Sequence, residues 1–345
     1  MREETGVALA GLTTLRLGGP ARRLVVAETE DEVVSVVREA DAAGEPLLVL
    51  GGGSNLVVAD AGFDGTVLGI ATHGVAPAAL VEHALQLEAG VDWDSAVELA
   101  VHEGYAGVEA LSGIPGLVGA TPIQNIGAYG QDVSQTVAWV RALDRTTGDV
   151  VLLDNAACGF SYRNSVFKGS GRYVVLSVAF ALEQSREGRP VRYAELARHL
   201  GVEVGESAPA ADVRAAVLDL RRAKGMVLDE ADHDTWSAGS FFTNPLLPAR
   251  EARAIGGLPD GAPRWPEPDG RVKVSAAWLI EHSGFARGHG AGPVRISDKH
   301  TLALTNRGGA STQDLLALAR EVRDGVRHRF GIELVPEPVL VGVTL

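Results

Sequence analysis

Cysteine is nearly missing from this chain of 345 residues: Cys158 stands alone. A lone thiol forms no intrachain disulfide and no cysteine metal cluster, so Cys158 is expected to be packed and inert, and no metal site is expected. Long apolar runs are absent too, which excludes a helix able to span a bilayer. The opening residues, MREETGVALAGLTTLRLGG, lack the apolar stretch of a signal peptide. A cytoplasmic location is the expectation. Positive charge is in deficit, with 31 Lys and Arg against 44 Asp and Glu and a net charge of −13. An acidic surface argues against general nucleic-acid binding and against adsorption to anionic membranes. Any phosphate-bearing ligand must then be held by local groups. Internal repeats and low-complexity tracts are also lacking.

What remains is ordinary for a globular protein, 46% hydrophobic and 22% charged, and long enough for two or three domains. The first third has an α/β texture. Leu24–Ala27 reads as a strand, and Thr29 caps a helix with Glu32 completing a capping box. Val33, Val36, Val37 and Ala40 keep helical spacing, and Gly44 stops it. Leu47–Leu50 is a second buried strand. A helix is expected over Asp94–Glu103, paired strands around the turn at Thr147-Gly148-Asp149, and a further strand over Tyr173–Leu182. Toward the end, Ala211–Gly225 and Ser311–Phe330 read as amphipathic helices, Ser275–Gly284 as a short one, and Gly256–Arg271 as loop. The segment ELVPEPVLVGV is expected to finish the chain as a strand. Boundaries fall near residues 70 and 220.

Three stretches carry chemistry. GGGSN (Gly51, Gly52, Gly53, Ser54, Asn55) follows a buried strand. Glycines there let the backbone approach a ligand and point N–H groups at phosphates, although a tight strand-to-helix turn reads the same way. It is not the usual dinucleotide fingerprint, because Leu56 stands where a small residue is wanted. GIPGLVGATPIQNIGAYG, from Gly113 to Gly130, is long, irregular and stiffened by Pro115 and Pro122. Loops of that length inside a domain are usually functional, and Gln124 and Asn125 offer amides to an isoalloxazine edge or a pyrophosphate. The plain alternative is a surface loop. SAGSFFTNP sets Ser240 among small residues and two phenylalanines, yet AGSFF is not the G-x-S-x-G nucleophile elbow.

GIPGLVGATPIQNIGAYG with LGGGSN upstream resembles the MurB family, the UDP-N-acetylenolpyruvoylglucosamine reductases. FSYRNSVF (Phe160–Phe167), AGSFFTNP (Ala238–Pro245) and PEPVLVG (Pro336–Gly342) follow in order, so the resemblance runs from about Thr14 to Gly342. It implies an α+β chain with a two-domain FAD-binding fold of the vanillyl-alcohol-oxidase (PCMH) type. The subdomains would be residues 1–70 and 71–220, followed by a MurB substrate domain over 221–331. The strand 332–345 would return to the first subdomain. It implies non-covalent FAD, NADPH as co-substrate, and reduction of UDP-N-acetylglucosamine enolpyruvate to UDP-N-acetylmuramate in peptidoglycan precursor synthesis. A monomer is expected.

The resemblance also implies site residues. Gly51, Gly52, Gly53, Ser54, Asn55, Pro115, Gly116, Gly119, Ala120, Pro122, Gln124, Asn125 and Gly127 would hold the cofactor. Hydride attack on an enolpyruvate leaves an enolate that a rigid cation must stabilise. Arg163 in SYRNS is the candidate, a guanidinium suited to a carboxylate; otherwise it is a surface arginine in a salt bridge. Ser240 would protonate the carbanionic carbon, a role open to a hydroxyl that is pinned and desolvated; otherwise it satisfies a turn. Glu337, between two prolines, would work with the arginine; otherwise it is an exposed terminal glutamate. Pro338 departs from the aliphatic residue commoner there. Tyr129, Tyr193, Lys224, Asn244 and His300 would contact substrate. Two other readings stay open: an FAD-dependent alcohol or sugar oxidase of the same fold, and a nucleotide-binding regulatory protein without catalysis.

Overall fold

The computed structural model describes residues 1–78, 84–254, 262–267 and 269–345. The chain gathers into two compact units: Met1–Val7, Ala21–Gly53 and Asp64–Val227 form unit 1, and Ala8–Pro20, Ser54–Phe63 and Leu228–Leu345 form unit 2. The expected division near 70 therefore falls inside unit 1, while 8–20 and 54–63 are counted with unit 2.

Unit 1 carries two large sheets, beside two small two-stranded ones. The first has the order Arg2–Ala8, Pro20–Ala27, Phe63–Ile70, Leu47–Leu50, the last pair parallel with Leu47 opposite Thr66. Helix α1, Glu30–Ala43, starts where Thr29 Oγ1 accepts the Glu32 N–H and stops at Gly44 with φ 64°. Here the expected capping box is altered. The Glu32 carboxylate reaches past the cap to accept the Glu28 N–H at 2.8 Å. Val33, Val36, Val37 and Ala40 are buried, and the three valines share a core with Val25, Leu68, Leu143, Val174 and Leu176.

The second sheet has the order Asp149–Asp154, Val137–Asp144, Tyr173–Ala181, Ala84–Glu88, Val75–Pro77. A bulge sits in its middle strand, where Arg141 faces Ser177 but Ala142 faces Val175. One extra residue reverses which face each later side chain takes. Val174 and Leu176 thus join the core under α1, whereas Val178 and Phe180 join a second core with Trp93, Leu111 and Val118. Helix α2, Trp93–His102, is capped by Asp92 and lies on that second core. Helices α3, Ala194–Leu200, and α4, Ala210–Ala223, pack through Leu196, Val213 and Val217.

Unit 2 is built on helix α5, Thr312–Phe330. It has a complete capping box between Ser311 and Asp314 and a left-handed stop at Gly331. Leu315, Leu316, Ala319, Val322 and Val326 meet Phe241, Phe242, Leu279, Ile280 and Leu304 in one core. Two expectations fail here. Arg264–Pro266 and Arg271–Val274 are strands, paired with each other and with Leu246–Pro248, although proline and glycine density suggested loop; residues 255–261 and 268 of that segment lie outside the described residues. The terminal strand is only Val339–Val341, because Pro336 and Pro338 bring no N–H to a ladder. It runs parallel to Leu56–Val58, with Val339 opposite Leu56.

Candidate functional site

In unit 1 the strand Leu47–Leu50 runs directly into Gly51, Gly52 and Gly53. A Cβ on Gly52 would stand 2.8 Å from the Gly116 Cα, so the two glycine-rich turns pass backbone to backbone. Gly119 lies as close to Ala89, where a Cβ would meet the alanine methyl at 2.6 Å. The loop expected to be irregular is in fact anchored. Gly116 O accepts the Trp93 N–H at 3.0 Å, Val118 N–H donates to Val91 O at 2.9 Å, and Gly119 N–H to Ala89 O at 2.9 Å. Pro115, Ala120 and Gln124 are half-buried along it, and Pro122 is buried. This low-bulk backbone crossing, with little side chain in the way, fits a diphosphate-bearing cofactor.

Asn125 is buried, and its amide is engaged by the chain itself. Nδ2 donates to Ser161 O at 3.1 Å, and Oδ1 accepts the Ser134 N–H at 3.0 Å. An isoalloxazine or pyrophosphate contact through this side chain does not follow from its geometry. Arg163 is half-buried in the neighbouring loop. Its guanidinium donates to Asn125 O at 3.3 Å and to Gly127 O at 2.5 Å, and its own carbonyl accepts from Lys168 Nζ at 3.0 Å. Gly127 makes this possible, since a Cβ there would sit 3.0 Å from Arg163 Nη1.

A second group in unit 1 joins Tyr129, Tyr193 and Lys224. The tyrosine rings meet edge to face with centroids 5.5 Å apart, and Lys224 Nζ lies 5.5 Å from the Tyr129 ring centre. Tyr193 is exposed. Two members were missed from the sequence. Glu195 pairs with Lys224 at 2.5 Å. Arg221 donates to Met226 O at 3.0 Å, while its buried Nε meets no acceptor among the described residues. Burial pulls the Arg221 guanidinium down to about 10, against the pull of Tyr129 and Asp94. Burial also pushes the Tyr129 phenol up to about 12, with Arg221 opposing and Glu195 and Tyr193 adding. Both groups therefore keep their protons at neutral pH. Arg221 was legible in principle, because it stands three residues before Lys224 on one helical face.

Unit 2 holds the remaining candidates. Ser240 follows Gly239, whose φ is 70°, and precedes Phe241 and Phe242, each 1% exposed. Phe241 N–H donates to Leu302 O at 2.7 Å, and its carbonyl accepts the Glu337 N–H at 2.8 Å. Phe242 bridges to Pro336. The backbone of Glu337 is thus tied one residue from Ser240. Pro338 does not disturb this, since Val339 N–H still reaches Asn55 O at 2.9 Å. Asn55 Nδ2 also approaches Glu337 O at 3.5 Å, and Ser54 is half-buried beside it in sequence. Asn244 is committed locally, its Oδ1 accepting from Ala276 N–H at 2.9 Å, the first residue of the helix Ala276–His282. His300 is half-buried in a turn held by Ser297 Oγ at 3.0 Å. Among the described residues, no group of three or more His, Cys, Asp or Glu is placed to hold a metal ion. No helix among them is long and apolar enough to cross a membrane. Cys158 is fully buried, and burial pushes its thiol up to about 12.

Comparison with known proteins gives these features a setting. Residues 21–154 match the family described as FAD binding domain, and residues 230–341 match UDP-N-acetylenolpyruvoylglucosamine reductase, C-terminal domain. The chain is 59% identical over 348 residues to the UDP-N-acetylenolpyruvoylglucosamine reductase of Thermobifida fusca (strain YX), covering 98% of each. It is 58% identical to that of Streptomyces coelicolor, covering 98% of this chain and 90% of the relative. The crystal structure of UDP-N-acetylenolpyruvylglucosamine reductase (MurB) from Thermus caldophilus superposes with a TM-score of 0.68 at 25% identity, covering 99% of each chain. With relatives of that name matching it along 98% of its length and the family's C-terminal domain matched over residues 230–341, the chain belongs to the UDP-N-acetylenolpyruvoylglucosamine reductase (MurB) family.

Proposed function

We propose that the protein reduces UDP-N-acetylglucosamine enolpyruvate to UDP-N-acetylmuramate at the expense of NADPH, as an FAD-dependent step of peptidoglycan precursor synthesis. The observation that carries this reading is the similarity to reductases of that name along essentially the whole chain. Bound FAD supplies the hydride that NADPH has delivered. The turns at Gly51–Gly53 and Gly116–Gly119 are the groups proposed to hold it, through backbone rather than charge. Arg163 presents a guanidinium fixed in plane by main-chain carbonyls; its role is to bind the substrate carboxylate and stabilise the enolate. Ser240 delivers the proton to the carbanionic carbon, and Glu337 supports that transfer. Lys224, with Tyr129 and Tyr193, is assigned to the diphosphate and its neighbourhood. The protein is further read as cytoplasmic and as a monomer; sedimentation of the purified chain checks the second, and fractionation of cells the first.

The oxidase alternative is disfavoured. The two glycine-rich segments contain no histidine or cysteine for covalent flavin attachment, and carbanion protonation, not alcohol oxidation, calls for the combination of Arg163, Ser240 and Glu337. The deciding assay follows NADPH absorbance. Oxidation must depend on added UDP-N-acetylglucosamine enolpyruvate. In Ser240→Ala the bound flavin must still bleach with NADPH while turnover is lost. Normal turnover in Ser240→Ala would remove the serine from the mechanism. A colourless protein that binds no flavin would remove the whole reading.

A further inference from the structure

We propose that Asn125 is a positioning residue: it acts through Arg163, holding the arginine loop in the one conformation in which the guanidinium meets its carbonyl acceptors. This rests on the reading that Arg163 binds the substrate carboxylate. Asn125 has φ 47° and Arg163 φ 52°; both are left-handed, a conformation shared among the described non-glycine residues only with Arg16 and Tyr129. Left-handed backbone outside glycine is held by its surroundings and not by preference. Here each residue supplies the other's surroundings. The Asn125 amide donates to Ser161 O, two residues before Arg163, and the Arg163 guanidinium donates back to Asn125 O. Two further bonds keep the loops in register. Ser165 Oγ donates to Ile123 O at 2.6 Å, and Lys168 Nζ caps Arg163 O. The far end of the Asn125 amide accepts the Ser134 N–H, so this one side chain ties three segments, all within unit 1.

Such a lock matters because a cation must stand ready where charge develops. A misplacement of about 1 Å costs on the order of 10²-fold in rate. Asparagine suits the position, since it is among the few side chains that tolerate a left-handed backbone while offering both a donor and an acceptor.

Two variants separate backbone from side chain. Asn125→Gly keeps the permissive backbone and removes the amide. Asn125→Asp keeps an acceptor for Ser134 and sets an oxygen where the donor to Ser161 stood. In flavin-free protein, hydrogen exchange at the Ser134 amide is expected to speed up in Asn125→Gly and to stay slow in Asn125→Asp. In the loaded enzyme, both variants are expected to slow substrate reduction by roughly 10–100-fold, and to slow flavin reduction by NADPH far less. The decisive comparison is a double variant: Asn125→Gly with Arg163→Lys is expected to be no slower than Arg163→Lys alone. If the two losses multiply in full, Asn125 acts elsewhere and the positioning role is wrong. An unimpaired Arg163→Lys would overturn the arginine's assigned role, and this inference with it; an impaired Arg163→Lys beside a fully active Asn125→Gly would overturn only this inference.

Discussion

Arg163 and Ser240 are held in place by opposite means. The arginine loop is polar. Arg163 and its partner Asn125 are both left-handed, and main-chain carbonyls at Asn125 and Gly127 take the guanidinium. The serine loop is anchored by bulk. Phe241 and Phe242 are each 1% exposed and pack edge to face with centroids 5.1 Å apart, leaving the hydroxyl one residue outside the core. The difference follows from charge. A neutral hydroxyl costs far less to desolvate than a charge and can be carried on an apolar anchor, whereas a guanidinium buried against rings alone would lose its hydration without compensation. Two loops of one enzyme therefore have different weak points: packing in one, hydrogen-bond geometry in the other.

That contrast can be tested from its largest expected effect downward. Ser240→Ala should reduce turnover by roughly 10²–10⁴-fold, the range for loss of a positioned acid, with the urea midpoint almost unmoved because no core atom is lost. Phe241→Ala should instead cost about 3–5 kcal/mol of stability, read from urea unfolding, and activity should fall with the folded fraction. A stable Phe241→Ala enzyme would mean that the serine loop is not anchored by that ring. Arg163→Gly pits two terms against each other: lost charge-assisted hydrogen bonds, about 1.5–3 kcal/mol, against relief of a left-handed side-chain backbone, about 1–3 kcal/mol. Its melting temperature should stay near that of the parent while substrate reduction falls steeply. A large stability loss would show that the arginine loop depends on the bonds more than it is burdened by the strain.

Much of this was legible in the sequence, and the failures share a cause. Helix Thr312–Phe330 was read to within a residue, because its caps and its apolar face are local signals. The glycines at 51–53 suggested backbone approach to a ligand, and those at 116 and 119 an irregular loop; that Gly52 meets Gly116 and Gly119 meets Ala89 comes from tertiary structure. For Asn125, sequence shows a donor and an acceptor without showing that Ser161 O and the Ser134 N–H meet them. Arg264–Pro266 was hidden by flanking prolines, although an outer strand of a small sheet tolerates proline. Arg221 was missed although it stands one helical turn before Lys224, because its burial, which gives it significance, is a tertiary property.

The smallest effect expected concerns acid, and it separates the two kinds of anchor most cleanly. Asp94, at the start of helix α2, holds the glycine-rich loop by accepting the Gly113 N–H at 2.6 Å, and it pairs with Arg214 through two bonds of 2.6 and 2.9 Å. Burial pushes its carboxyl up, but Arg214 and the Gly113 N–H together outweigh this and hold it below the usual value. A carboxylate with a depressed folded value stabilises fully above its unfolded value, about 3.9, and that stabilisation disappears as pH falls through the folded value. The stability gap between the parent and Asp94→Asn should thus be constant from pH 5 to 8 and close progressively below about pH 4. With the carboxylate 34% exposed, screening keeps the gap near 1 kcal/mol. The gap between the parent and Phe241→Ala should show no such closure, since no proton is exchanged at that ring. Urea midpoints taken across this pH range measure both, and an Asp94→Asn gap that stayed open at pH 3 would show that the loop is held there by something other than this charge.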